Sequence, residues 1–265
     1  MRSASKGLGF YSIAILPTVL SVIAGSADVI SFLGLGLFNA HITGNLVILA
    51  AHIVARGAAD VKLMLSVPIF ILVLGLMRLL VAGLQSFRVG CLVPLLFLQF
   101  LLLAGLFALC GAAALPANPD AGSALVGCQL GVAAMAAQTA LVQLALKGAP
   151  STAVMTTNIT RFIMDLGDAL LRERIADVTQ ARWRAKHTWP VIVGFTAGAA
   201  LGAACFAAVG LKALALPVAL SLLALAMGLG VKLDVTNQPA ARRSLRRLPL
   251  VAVSNWRHFL RSGYG

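Results

Sequence analysis

The chain has 265 residues, of which 60% are hydrophobic and 11% charged, with a mean hydropathy of +0.96 and a formal net charge of +13. These charges are too few to give every element of a soluble domain a solvated face, so the class is a polytopic α-helical membrane protein. Ten-residue alternating segments, the mark of an outer-membrane barrel, are absent. The basic residues stand between and after apolar runs, as they do around membrane spans, which excludes nucleic-acid binding as the reading of the charge.

The start of the chain imitates a secretory signal, with Arg2 and Lys6, an apolar run from Leu8, and Ala24-Gly25-Ser26. The run continues through Asp28 to Phe38, too long for a signal core, and reads as an uncleaved first helix over 9–37. Helix two, 43–55, falls short of the ~20 residues a crossing needs. Helices three and four are expected at 63–84 and 92–115, followed by a turn around Pro116 and Pro119. Helices five to eight are expected at 123–146, 157–171, 189–209 and 213–231, with a basic loop, Arg172 to His187, before helix seven. The order long, short, long, long occurs twice. It divides the chain into a first membrane half (1–118), a second (119–232) and a basic tail (233–265), a pattern frequent in transporters.

The organising stretch is the polar break after the first helix, where Asn39 and His41 precede Thr43-Gly44-Asn45. An echo returns in the second half, where Thr156-Thr157-Asn158 opens a short helix. At a constant offset the breaks match at Ala40/Ala153, Thr43/Thr156 and Asn45/Asn158. Either break is an N-cap satisfying orphan N–H groups at a membrane surface, or it is the end of a half-helix facing a cavity and receiving a polar or anionic solute.

Topology leaves two arrangements. With eight crossings, or with six crossings and helices two and six re-entrant, Lys and Arg number sixteen on one side and three on the other. The positive-inside rule puts both termini in the cytoplasm in either case. Eight helical segments are expected, with full crossing by two and six left open. Eight crossings make the halves parallel; re-entrant segments make them inverted.

AGSADVISFLGLGLFNAHITGN resembles the signature of the YoaK-like family of bacterial membrane proteins, whose function is unknown. The matching residues are Ala24-Gly25, Asp28, Phe32 and Thr43-Gly44-Asn45, and in the second half Gln138-Thr139-Ala140, Gly148-Ala149-Pro150 and Thr156-Thr157-Asn158. The sequence has Thr139 where that pattern commonly shows Asn, and Thr157 where it commonly shows Gly. The resemblance implies a helical membrane fold and a bacterial inner-membrane location, and no activity.

Several polar groups stand where apolar ones are expected. Asp28 lies in mid-helix, where a carboxylate costs at least ~2.5–3.5 kcal/mol at the bilayer centre. It reads as a structural group, paired with Arg78 or bonded to a nearby cap, or as a proton or substrate site. Arg161, Asp165 and Asp168 share one face of helix six, as an internally paired interfacial helix or a polar seam. His52 and Asp165 each lie seven residues after the Asn of their break, which reads as a pair across the repeat axis for proton coupling or as a lone His52 reaching the surface. Gln138 and Gln143 need interhelical partners. The spacings Gly127-x-x-x-Gly131 and Gly198-x-x-x-Gly202 read as close helix packing. The basic loop and the tail look like amphipathic segments lying on anionic lipid, with disorder the alternative for the tail.

No zinc helix, nucleophile elbow, phosphate loop or Ser/His/Asp set can be assembled, and no cofactor or metal is implied. The expectation is a secondary transporter or permease for a small solute, with Asp28, Thr43, Gly44, Asn45, Thr156, Thr157 and Asn158 as its site. His52, Arg78, Gln138, Arg161, Asp165 and Asp168 form the relay or polar seam. The alternative is a membrane scaffold or sensor whose polar groups only hold helices together. Oligomeric state is open.

Overall fold

The structure, a computed structural model, describes residues 2–56, 59–111, 121–171 and 175–236, with side chains for 15–55, 59–111, 122–171 and 178–230. The 112–120 turn holding the division between the halves, and the tail from 237, lie outside the described residues. The described residues form helices α1 (Arg2–Leu35), α2 (Ile42–Arg56), α3 (Val61–Ser86), α4 (Leu92–Cys110), α5 (Ala121–Ala145), α6 (Met155–Leu171), α7 (Ile175–Val209) and α8 (Ala215–Thr236), with a 3-10 turn, Gly210–Leu214, before α8. Five stretches among them are long and apolar enough to cross a membrane, and one of these, Val178–Gly230, takes in both α7 and α8. The protein is an integral membrane protein of helical-bundle type.

Close approaches fix the direction of each helix. Gly194, Gly198 and Gly202 of α7 lie against Thr18, Val22 and Ser26 of α1 in the same order, so α1 and α7 run parallel from a near end of the bundle to a far end. The contact is made at backbone level: a β-carbon on Gly198 would overlap the Val22 carbonyl, and one on Gly25 the Phe195 carbonyl. Small residues permit this approach, which gains dispersion contacts where no hydrophobic effect operates. Ser21 Oγ adds a 2.7 Å bond to the Val191 carbonyl.

Helix α8 returns along α4: Gly111 at the end of α4 adjoins the Leu211 carbonyl, and Gly228 near the end of α8 adjoins Leu96. Helix α5 runs against α4, with Leu130 over Gly105 and Cys110 over Gly127. It also runs against α1, because Gly131 meets Asn39 near Ala27 and Gln138 meets Leu20. Helix α3 starts at the far end beside α5, where Gln129 Nε2 donates to the Lys62 carbonyl at 3.0 Å. Its first turn is capped by Asp60, whose side chain accepts from Lys62 N.

Six helices therefore run the length of the bundle. Helices α2 and α6 do not. Each follows a loop that doubles back into the bundle, then leaves by the end it came from: α2 passes the end of α1, with Ile48 and His52 beside Gly34 and Gly36, and α6 passes Gly148–Pro150 after α5. Gly36 (φ 75°) and Gly148 (φ 87°) terminate α1 and α5 in the left-handed region that glycine adopts without penalty. Of the two arrangements open to the sequence, the geometry is the one with six lengthwise helices and two re-entrant ones.

Two expectations are corrected. Helices α2 and α6 begin at Ile42 and Met155, ahead of Thr43 and Thr157. The stretch read as a basic loop before helix seven is helical from Ile175 and continuous with α7, giving one helix of 35 residues; its polar face is held by α6, which a scan for apolar runs does not see. One core unites the two stretches, with α1 against α7 and α8 and α4 against α5 and α8. The outward surface stays apolar, as at Val54 (88% exposed), Leu79 and Leu170, which suits a lipid-facing belt.

Candidate functional site

Break one is the loop between α1 and α2, and it is built on Asp28. This carboxylate is 2% exposed. Its Oδ1 accepts from the Asn39 N–H at 2.8 Å and the Ala40 N–H at 2.6 Å, and its Oδ2 is bonded to His41 Nδ1. Backbone donors and an imidazole thus make the burial of a charge tolerable. His41 lies outside the spanning helices, half-exposed and edge-on to Phe195. Its hydrogen bond to Asp28 raises its pKa above the ordinary imidazole value, against the opposing effect of burial.

Two asparagines complete the break. Asn39, fully buried, donates to Ser31 Oγ at 2.7 Å and the Ala27 carbonyl at 3.3 Å, while its Oδ1 has no hydrogen-bond partner and rests on Gly131. A side chain at 131 would collide with it, which gives Gly131 its reason. Asn45 clasps Phe38 on both edges: Oδ1 accepts from the Phe38 N–H and Nδ2 donates to its carbonyl, each at 2.8 Å.

Break two, between α5 and α6, has a similar clasp seven residues long, in which Asn158 Nδ2 donates to the Ser151 carbonyl at 2.5 Å. Its anchor in the long helix is neutral. Gln138 Nε2 donates to Thr152 Oγ1 and to the Leu20 carbonyl, both at 2.9 Å, and Gln138 Oε1 accepts from Gln99 Nε2 at 2.7 Å. Ser151 Oγ accepts from the Ala153 and Val154 N–H groups.

The breaks enter the α1/α5 seam from opposite ends. Break one stops at Ala27 and Gly131, break two at Leu20 and Gln138, seven residues away on each helix. That is two turns, ~10.5 Å along the axis. A cleft lies at each end of the bundle, and the near-end one is walled by break two. The far-end cleft, ≈ 500 Å³, is lined by Phe32, Gly36, His52, Asp60, Lys62 and Cys128 among others. At the near end an outer compartment of ≈ 430 Å³ between α6 and α7 adjoins an inner one of ≈ 290 Å³ at break two, with Gly148, Ala149 and Arg161 in the walls of both.

Of the expected site residues, the structure brings together Asp28 and Asn45 at break one, and Gln138 and Asn158 at break two. It does not bring all four to one hollow. Thr43, Thr156 and Thr157 point outward and are exposed, so they are not part of either clasp; Gly44 packs against Phe38 and His41. Asp28 does not pair with Arg78, which is exposed on α3; the loop's own donors reach it first. Asp165 pairs with Arg184 of α7 (Nη2 2.6 Å, Nε 2.8 Å) and not with Arg161. His52 and Asp165 stand at opposite ends of the bundle, in different clefts, and form no pair. Asp168 lines the outer near-end compartment.

Gln99, Thr152 and Arg184 are contributors that sequence reasoning left out, while Asn39 and His41 were placed in the break but given no bonding role. A lone amide in the most apolar helix, Gln99 in α4, was a readable signal for a buried partner; Arg184 was hidden by reading its segment as a loop.

Residues 16–227, a stretch that holds both breaks and every residue of both clasps, match the model of the family described as Protein of unknown function (DUF1275). The chain belongs to that family. No curated protein and no solved structure matches. The site of this family member is two clasped loops, one anchored on an acid and the other on an amide, with the second walling the near-end cleft.

Proposed function

We propose that the protein is a secondary transporter or permease for a small solute, seated in a bacterial inner membrane with both termini in the cytoplasm. The observation that carries this is the approach of the two breaks from opposite ends of the α1/α5 seam, leaving two helical turns of packed side chains between them. Discontinuous helices meeting near mid-depth, with a cleft on each side, suit alternating access around a central barrier. The matched clasps and matched glycine terminators support an inverted repeat. The near end carries Arg88, Lys147 and the basic start of α7, and the far end Arg56, Lys62 and Lys212, which supports a cytoplasmic near end.

In this reading Asp28 and His41 act as a latch on break one, the pair whose displacement frees the loop. No catalytic step is part of the reading. Reconstituted into liposomes, the protein should pass small solutes that protein-free liposomes retain, and Asp28→Asn should abolish the flux while the helical content is unchanged. Retained flux in Asp28→Asn removes the acid from the mechanism. A second reading, a membrane scaffold or sensor, is favoured by one observation: every oxygen of Asp28 is already engaged within the loop. Absence of flux across organic acids, amines, sugars and water would favour it.

A further inference from the structure

We infer that the inner compartment of the near-end cleft is a binding site for a small carboxylate anion. This rests on reading the two breaks as matched and adds a ligand class to that reading. The compartment, ≈ 290 Å³, is walled by Thr139 and Gln143 of α5, Ser151 and Thr152 of break two, and Arg161 of α6. At that size it takes a solute at or below the small end of ordinary ligand pockets.

Among the described residues Arg161 is its one charged lining residue. The acid expected to pair with it, Asp165, four residues on, is held instead by two nitrogens of Arg184. Asp168 lines only the outer compartment, two turns or ~10.5 Å farther along α6. Among the described residues Arg161 thus has no ion-pair partner, and its fork of N–H donors borders a cavity without a carboxylate.

The hydroxyls there are left as donors too. Thr152 Oγ1 accepts from Gln138 and Ser151 Oγ accepts from two backbone N–H groups, so each has its own O–H to give. Thr139 alone turns its proton to a backbone carbonyl, that of Met135. A guanidinium with two hydroxyl donors complements a planar carboxylate, which arginine binds through two parallel bonds.

Break one shows what is missing. There a carboxylate, Asp28, is built in and takes two N–H groups and an imidazole. In break two the long-helix anchor is the neutral Gln138, and among the described residues the charge lining the inner compartment is positive. An incoming carboxylate supplies at break two the anion that Asp28 supplies at break one.

The test uses the full-length protein in phosphatidylcholine nanodiscs, free of anionic lipid, with lactate, inorganic phosphate and methylammonium at matched ionic strength. Calorimetric titration and thermal unfolding should show saturable binding of lactate and none of methylammonium. Arg161→Gln should weaken lactate at least tenfold, with the unfolding midpoint of the unliganded protein unchanged because this side chain is exposed; Arg161→Lys should keep part of the affinity. No lactate binding, tighter binding of phosphate, or equal affinity in Arg161→Gln would overturn the inference. Uptake of labelled lactate into liposomes separates the two readings. Binding without uptake keeps the site and removes the pathway; uptake of methylammonium with no lactate binding keeps the pathway and removes the site.

Discussion

The two breaks solve one geometric problem with different chemistry. Both must hold a loop inside a bundle where no water satisfies its backbone, and both tie an Asn near the start of the short helix to the residue seven before it. Break one then adds a buried ion held by two backbone N–H groups and a histidine; break two adds only neutral amide and hydroxyl bonds. The contrast teaches that the same kind of backbone path can be locked by a buried charge or by neutral bonds alone, depending on the anchor residue in the long helix.

The sharpest way to break the comparison is to remove both anchors in turn. Asp28→Ala strands two N–H groups and His41, so it should destabilise by ~3–5 kcal/mol, as expected when a buried charged partner is lost. Gln138→Ala, losing neutral bonds, should cost ~1–3 kcal/mol. Reversible unfolding in mixed micelles measures both, and equal losses would show that charge gives break one no special hold. Next, Gly131→Ala drives a methyl group into Asn39 and should cost ~1–3 kcal/mol by overpacking, while Gly167→Ala, with open space around it, should be neutral or slightly stabilising on the same assay.

Smaller effects are expected at the clasps. Asn45→Ala breaks two bonds and Asn158→Ala one to a backbone group, so the first should cost about twice the second, each bond contributing ~0.5–1.5 kcal/mol. The smallest effect is in pH. Because Asp28 raises the His41 pKa, the stability this pair confers is full below ~6.5, the ordinary histidine value, and declines as pH rises through the raised one. The unfolding midpoint should therefore fall as pH rises from ~6.5 through the raised value and level off above it, and the slope should flatten in His41→Gln; an unchanged slope would remove His41 as its source.

How much of this was legible in the sequence depends on the kind of signal. The long helices were readable because apolar runs report burial in lipid directly, and the duplicated Thr/Asn pattern located both breaks. The seven-residue clasps were not, since Phe38 and Ser151 contribute backbone atoms, which carry no residue-type signature. The start of α7 was misread because Asp165 and Arg184 stabilise it across two helices, a pairing no local window contains. Thr43, Thr156 and Thr157 were given a capping role, but helix starts one or two residues earlier turn them outward.

One consequence follows from where the clefts end. The far-end cleft reaches Phe32 of α1, and the near-end one reaches Thr152, whose partner Gln138 touches Leu20. Twelve residues of α1 separate those levels, ~18 Å against a hydrocarbon thickness of ~30 Å. With electrolyte in both clefts, the transmembrane voltage drops over this shorter span, making the local electric field about 1.7 times that in the surrounding bilayer. Asp28 lies within that interval, so any displacement of its charge is coupled to the membrane potential more strongly than its distance alone would give.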